Sequence, residues 1–485
     1  MTDGQLAVAA LAIPFAGMAL VALARRRPDV REAMSFAAAV MLFFLVVSLG
    51  PAVLAGGRPA ATLFEMMPGL PVVLVVEPLG WLFAAVASSL WVVSTAYSIG
   101  YLRGNGEANQ TRFFVCFAGA IGAAIGIAFA GNLLTLFLFY EALTLVTYPL
   151  VTHHGTDEAR RAGRVYLGVL VGTSVVFLLP AIIATWVFAG TLDFRPGGIL
   201  GGHVGAVGAG VLLALFMFGI GKAALMPFHR WLPAAMVAPT PVSALLHAVA
   251  VVKAGVFCVV KVIVYVFGIE ALAALGGAEW LTIVSAFTLI AASAVALRAD
   301  NLKRRLAYST VSQLAYVTMA ASLLTPLAVM GAALHLVVHA FGKITLFFAA
   351  GSIYTAAHKT LVSELDGIGR AMPWTMGAFA VGALSMIGIP PLAGFVSKWF
   401  ILSGAVATRD WIAMGALAAS TLLNAAYFAP IVYRAFFVAP REEGAHGHEA
   451  PAAMVIAQVV TAAACVALFL FPGLAIAFAR ALVGG

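Results

Sequence analysis

Runs of about twenty apolar residues, the length a helix needs to cross a bilayer, recur from one end of this chain to the other. Fourteen can be drawn, near residues 5–24, 34–54, 76–99, 113–130, 132–151, 164–189, 206–226, 241–268, 279–297, 306–324, 327–356, 373–406, 410–434 and 453–478. Only short polar connections separate them. At 63% hydrophobic and 9% charged residues, the composition is that of no soluble domain. The expected fold is therefore an all-α polytopic membrane protein of about fourteen transmembrane helices, with the lipid bilayer as its solvent. No room is left for a nucleotide-binding or redox domain, and neither a cofactor nor nucleic acid is expected.

Orientation follows from charge. "MTDGQ" is not the positive start of a secretory signal, and "RRRPDVR" behind the first run reads as a stop-transfer flank. With the N-terminus outside, eighteen lysines and arginines fall in inner connections, four in outer ones and five within spans, together the 27 of the chain. This is the bias expected of a bacterial plasma (inner) membrane protein, and it ties the net charge of +8 to the cytoplasmic leaflet.

Several motifs carry little. Cys116, Cys258 and Cys465 stand singly in apolar runs and read as core fillers. "HGH" at His446–His448, near Glu443 and Glu449, reads as a solvated loop before a metal site. No metal is expected. The glycines of "GGILGGHVGAVGAG" follow no strand and suggest no phosphate cradle.

The ionisable residues inside the spans carry more. Glu141 lies near the middle of "NLLTLFLFYEALTLVTYPLV", where an uncompensated carboxylate costs about 3 kcal/mol even on insertion scales. Its plainer reading is a hydrogen-bonding tie between helices. Lys222, in "FMFGIGKAALMPFHRWLP", precedes Pro227, which should interrupt its helix; broken helices at depth are tolerated where they line a cavity or pack on protein. A lysine snorkelling to the nearby interface is its alternative. The eighth run carries His247, Lys253 and Lys261. His247 and Lys253, six apart, do not share a face; Lys261, near the outer end, reads as a snorkelling or subunit-contact lysine. His335, His339 and Lys343 are spaced by four and line one helical stripe. Lys398 follows Pro390-Pro391 in "IGIPPLAGFVSKWFIL". Desolvation lowers the proton affinity of lysine and a nearby carboxylate restores it, so such a set can be tuned to pass protons.

Five segments carry a resemblance: "FLFYEALTLVTYPLV", "GKAALMPFHRWLPAAMVAPTPVSALLHA", "DNLKRRLAYSTVSQLAYV", "HLVVHAFGKITLFFAAGSI" and "GIPPLAGFVSKWFIL". They resemble, in order, hallmark segments of the proton-conducting, antiporter-like membrane subunits of complex I, membrane-bound hydrogenases and multisubunit Mrp cation/proton antiporters. The resemblance covers roughly residues 75–435. It implies two inverted five-helix repeats with broken seventh and twelfth helices. It divides the chain into N-terminal helices (1–112), a first repeat (113–268), a second repeat (279–434) and a loop with a last helix (435–485).

By motif, Glu141 resembles the family's fifth-helix glutamate and Lys222 its seventh-helix partner lysine. His247 and Lys253 match eighth-helix connecting positions. His335, His339 and Lys343 match the eleventh-helix relay, and Lys398 the twelfth-helix lysine of the outward half-channel. Asp300 and Lys303 sit in the recurrent inner loop and read as structural or gating. The lysine at 398 and the short tail resemble the D-type Mrp subunit, with the N-type subunit of complex I next. Other membrane subunits, H⁺ and Na⁺ or another monovalent cation are the implied partners, and the chain is expected to do no chemistry of its own. A stand-alone solute transporter would need a polar pocket, a scaffold would keep its charges at helix ends, and a membrane enzyme would show a ligand cluster or nucleophile; the sequence favours none of these.

Overall fold

The computed structural model describes residues 2–440 and 448–484. Its helices are α1 (Asp3–Leu23), α2 (Pro28–Leu54), α3 (Pro78–Gly104), α4 (Gln110–Ala128), α5 (Leu133–Val151), α6 (Asp157–Ala189), α7 (Ala206–Gly219), α8 (Thr240–Phe267) and α9 (Glu279–Arg298). They continue as α10 (Leu302–Ser322), α11 (Pro326–Ala357), α12 (Pro373–Ile387), α13 (Ala393–Ala407), α14 (Trp411–Phe437), α15 (Ala452–Leu470) and α16 (Gly473–Val483). Between α2 and α3 stands one antiparallel hairpin, β1 (Ala60–Met67) with β2 (Leu70–Val75), an element the hydropathy pattern did not announce.

Eleven of these helices are long and apolar enough to span a membrane. The seventh and twelfth runs are broken, and in each half of the chain the broken element is the fourth of five, as two repeats require. α10 spans 21 residues yet is too polar to be read as a span by hydropathy alone. It is polar because it is sheltered. Its Ser312 hydroxyl bonds Ser293 of α9 at 2.8 Å, and its Ser322 bonds Thr282 at 2.7 Å. The fourteenth run stops sooner than expected. Pro472 cannot continue the hydrogen-bond ladder, so α15 ends at Leu470 and α16 turns back to stack Phe478 on Trp81 of α3.

α8 and α11 occupy the centre. The apolar stretch of α8 is 100% buried and that of α11 94%. α2 and α6, by contrast, show a third of theirs to protein and the rest outward. The two helices with least access to lipid carry six of the ionisable groups singled out above. A charge that cannot be solvated by water is thereby kept from hydrocarbon as well.

Both breaks are closed locally. At the first, the freed amide of Lys222 donates to the Tyr140 hydroxyl at 3.1 Å, and the Gly221 carbonyl accepts from the Trp231 indole at 3.0 Å. Gly255 of α8 lies directly on the Lys222 backbone, where any Cβ would collide with main-chain atoms. At the second, α12 ends on Gly388 at φ +92°, and a Cβ there would meet the Lys398 side chain at 2.7 Å. Lys398 donates to the freed carbonyls of Met386 and Ile387, both at 2.9 Å. Irregular backbone survives at depth because neighbouring side chains satisfy it.

Lys261 departs from the sequence reading. It neither snorkels nor reaches a surface: its Nζ pairs with Glu77 Oε1 at 2.5 Å and donates to the Ala130 carbonyl at 2.7 Å, with both side chains buried. Glu77 stands at the start of α3 and Ala130 just past α4, so the pair ties α3, α4 and α8 together at the end away from the arginine-rich loops. Removing one partner strands a buried charge. Lys261→Met is expected to destabilise by about 3–5 kcal/mol, and Glu77→Gln with Lys261→Met together by much less. Thermal unfolding of the purified protein in detergent would show this as non-additivity; additive losses would mean that the pair is not coupled.

Candidate functional site: a buried chain of lysines and histidines

The site is built on α8, α10, α11 and the two broken helices. At its centre, Lys253 Nζ of α8 and His339 Nδ1 of α11 are 2.5 Å apart, both buried. One turn along α11, His335 stacks on His339 with ring centroids 5.8 Å apart. His335 Nε2 meets Gln313 Oε1 of α10 at 3.0 Å, and its Nδ1 meets Ser397 Oγ of α13 at 2.9 Å. Ser397 adjoins Lys398. The Tyr316 ring stacks on His335 at 5.4 Å and lies under the Lys398 ammonium at 4.7 Å. Close contacts therefore run from Lys253 through His339 and His335 to the break that holds Lys398.

Other candidates fall elsewhere. Lys343 continues the α11 stripe in sequence but not in contact: its Nζ donates to Ser309 Oγ of α10 at 2.9 Å, and Ser309 in turn accepts from the Tyr427 hydroxyl at 3.0 Å. It forms a side branch. His247 is buried in a π-turn of α8, Leu245–Val249, a feature frequent at functional sites. Its ring lies 4.7 Å from Phe347, and neither ring nitrogen has a partner. Of the two eighth-span candidates, Lys253 touches His339 of α11, and His247 packs on Phe347 instead.

Glu141 and Lys222 do not form the ion pair that their roles suggested. Lys222 Nζ donates to the Tyr140 carbonyl at 2.9 Å and the Thr144 hydroxyl at 2.6 Å, and sits 3.2 Å from the centre of the Tyr140 ring. Tyr140 and Thr144 are four apart and face the break. Glu141 is turned roughly 100° from Tyr140 about the axis, toward the side of exposed Leu145. It is half-buried, and its Oε1 has no hydrogen-bond partner.

A cavity of about 250 Å³ opens on the arginine-rich face, lined by Tyr101, Glu107, His154, Thr240, Lys303 and Thr360 among others. Thr240 begins α8, two turns from His247. Lys303 donates to the Ala238 carbonyl at 2.5 Å. Asp300 has a structural place, accepting the Ser363 amide at 3.0 Å and hydroxyl at 2.7 Å. Glu107 and His154 face each other across the mouth at 3.4 Å. The hydrogen bond from His154 pulls the Glu107 carboxyl below its usual range, and the same bond lifts the imidazole above its ordinary 6.5.

Glu107, His154, Gln313, Ser397, Ser309, Tyr316 and the Glu77–Lys261 pair escaped the sequence reading. Gln313, an amide in the middle of a span, was the one legible signal among them. Serines, threonines and tyrosines are too common in helices to stand out. His446 and Glu443 lie outside the described residues. Glu449, far from any metal site, accepts the Trp374 and Thr375 amides at the start of α12. Among the described residues no histidine, cysteine and carboxylate cluster has metal-binding geometry, and the three cysteines are free.

The Glu107–His154 pair gives a signed pH dependence. The raised His154 pKa stabilises the fold below about pH 6.5 and loses that contribution as pH rises through the folded-state value. The lowered Glu107 pKa stabilises above about pH 4.5 and is lost as pH falls through its own folded-state value. In histidine-labelled protein followed by NMR, Glu107→Gln is expected to lower the titration midpoint of His154. An unchanged or higher midpoint would contradict the pairing.

Residues 130–424, more than half the chain, match the transmembrane family described as NADH:quinone oxidoreductase/Mrp antiporter. The chain is 34% identical over 407 residues to a probable K(+)/H(+) antiporter subunit of Rhizobium meliloti (strain 1021), a stretch that covers 82% of this chain but 39% of that protein. It is 31% identical over 415 residues to "NADH-quinone oxidoreductase subunit N" of Desulforudis audaxviator (strain MP104C), covering 82% of both. Its fold is similar to a chain of the Mrp complex from Dietzia sp. DQ12-45-1b, with TM-score 0.87, 19% identity and 100% and 97% of the two chains covered. It is similar also to a chain of an archaeal membrane-bound sulfane sulfur reductase, with TM-score 0.85, 22% identity and 99% and 98% covered. The broken helices, the family match and these relatives together place this multi-pass membrane chain in the NADH:quinone oxidoreductase/Mrp antiporter transmembrane family.

Proposed function

We propose that the chain carries protons through the membrane along Lys253, His339, His335 and Lys398, as one subunit of a multisubunit Mrp-type Na⁺/H⁺ antiporter. The contact run from Lys253 to the α13 break is the observation that carries this reading. Lys253 and His339 are in direct contact, His339 and His335 are stacked, and Gln313, bonded to His335, shares the Met386 carbonyl with Lys398. The other helices enclose α8 and α11, so these side chains are the partners at hand for a proton. Lys222, beside the first break, loads the chain, with His247 and Lys343 as flanking charges. Glu141, with an unpartnered oxygen on an outward-turned flank, is where a neighbouring subunit would couple to Lys222. The protein sits in the bacterial inner membrane with its arginine-rich face inward, and the cavity at Glu107 and His154 is the inner mouth.

A second reading is the redox-driven branch, in which the same proton path serves a complex I-like oxidoreductase or a membrane-bound hydrogenase. The similarity to a subunit N over most of both chains favours it. Inside-out vesicles holding the native complex separate the two. Collapse of a respiration-generated pH gradient on adding Na⁺, K⁺ or Li⁺, abolished by Glu141→Ala, supports the antiporter. Proton pumping driven by NADH or a hydrogenase donor without a cation response supports the redox branch. Normal activity in Glu141→Ala removes Glu141 from the path.

Within either reading, Lys253→Met is expected to cut proton flux roughly a hundredfold or more, at the low end of what a proton-transfer group contributes. His247→Gln, which breaks no hydrogen bond, should cut it several-fold less. Equal losses would return His247 to the main path.

A further inference from the structure

Where α1 meets α2, the arginine-rich face carries cations that no carboxylate answers. Arg25, Arg26 and Arg27 follow one another, and Arg112 stands close by on α4. The acids of this corner are already engaged. Arg103 takes both Asp29 and Glu32, and Arg31 also pairs with Glu32 at 3.3 Å. Among the described residues no ion pair reaches Arg25, Arg26, Arg27 or Arg112; Arg112 donates only to the His153 carbonyl at 2.7 Å. Arg25, Arg26, Arg31, Gln110, Thr111 and Arg112 wall a shallow cleft of about 630 Å³. Arg31 is the built part of it. It is 4% exposed, fixed by Gln110 at 2.8 Å and Thr111 at 3.1 Å, and its buried Nε–H has no acceptor.

An apolar groove runs along the outward side of the same helix, opposite Arg31, and Val30, beside Arg25–Arg27, stands at its arginine end. Ala33, Phe36, Val40, Met41, Phe44 and Ser48 line about 770 Å³ on the outward side of α2. Phe44 is 65% exposed and Met41 53%. At 1.5 Å per residue the groove runs about 22 Å, most of the roughly 30 Å hydrocarbon core. Its apolar wall therefore lies at acyl-chain depth while its arginine end lies at headgroup level.

We propose that this corner binds an anionic phospholipid, its phosphate in the arginine cleft and one acyl chain along α2. The cleft offers donors and positive charge with no free carboxylate, which fits a phosphate diester. Basic pockets on this side of a membrane protein suit such headgroups. Generic positive-inside bias accounts for arginines in the loop. It does not account for an apolar groove that starts at Val30, directly beside the same unpaired arginines. A zwitterionic lipid would bring a cation against the arginines, and free phosphate would leave the groove empty.

The test uses the full chain purified in detergent, with phosphatidylglycerol or phosphatidylcholine added and bound lipid counted by native mass spectrometry. Arg25→Gln, Arg26→Gln and Arg112→Gln are combined in one variant. A matched control combines Arg160→Gln, Arg161→Gln and Arg164→Gln, three exposed arginines at the start of α6 on the same face. Unchanged elution on size exclusion certifies folding of each. Expected is a preference for phosphatidylglycerol that falls by roughly tenfold in the cleft variant, the equivalent of one lost charge-assisted contact or more, and barely in the control. A Met41→Trp reporter should be quenched by brominated phosphatidylglycerol and released from quenching by the three cleft substitutions. Equal losses in both triple variants would reduce the effect to surface charge and overturn the proposal. So would quenching indifferent to the arginines, or no phospholipid adduct on the chain alone, which would leave the corner to an acidic partner protein.

Discussion

The contact between Lys253 and His339 is the interaction around which the rest is arranged. An ammonium within a bilayer survives only if something other than lipid surrounds it and something accepts its protons. The chain meets the first condition by wrapping α8 and α11 in the other helices. It meets the second by placing an imidazole 2.5 Å from Nζ. Neither helix could occupy a lipid-facing position with its present sequence. Their central location is a consequence of their charges as much as of their apolar residues.

The two helix breaks extend the same constraint. A helix interrupted at depth releases backbone donors and acceptors, each costing several kcal/mol if left bare in hydrocarbon. Here Tyr140, Trp231 and Lys398 take them up. The second break brings its own freed carbonyls to Lys398, whereas Lys222 at the first meets the Tyr140 carbonyl and Thr144 hydroxyl of α5; in both places a side chain that gains or loses a proton meets oxygens instead of methyl groups. Glycine makes this approach geometrically feasible, at Gly255 against the first break and at Gly388 beneath Lys398. The Glu77–Lys261 pair lies outside the run and follows a different logic, fixing three helices at one end of the assembly.

Much of the fold was legible because hydropathy has a length scale. A twenty-residue apolar run in a chain without soluble segments has few alternatives to a spanning helix. The tenth run was drawn even though polarity and burial part company there. α10 is polar yet enclosed, its serines bonding α9. The fourteenth run was read through Pro472, whose missing N–H ends the helix. In the site, the titratable residues could be named because a charge in such a run is rare. Their partners could not. Gln313 and Ser397, which hold the two nitrogens of His335, come from α10 and α13, 22 and 62 residues away.

The sequence by itself determined that the chain lives in a membrane, which face carries the arginines, where the seventh and twelfth runs break and which ionisable groups sit at depth. Those properties depend on local composition and on the energy of moving each residue type out of water. Only the tertiary structure decided that Lys253 and not His247 meets His339, that Lys343 turns aside to Ser309, that Lys222 is held by Tyr140 and Thr144 while Glu141 turns outward, and that Lys261 is paired with Glu77. A helical period says which residues share a face. It does not say which helix lies opposite, and hydrogen bonds reaching about 3 Å depend entirely on that second fact.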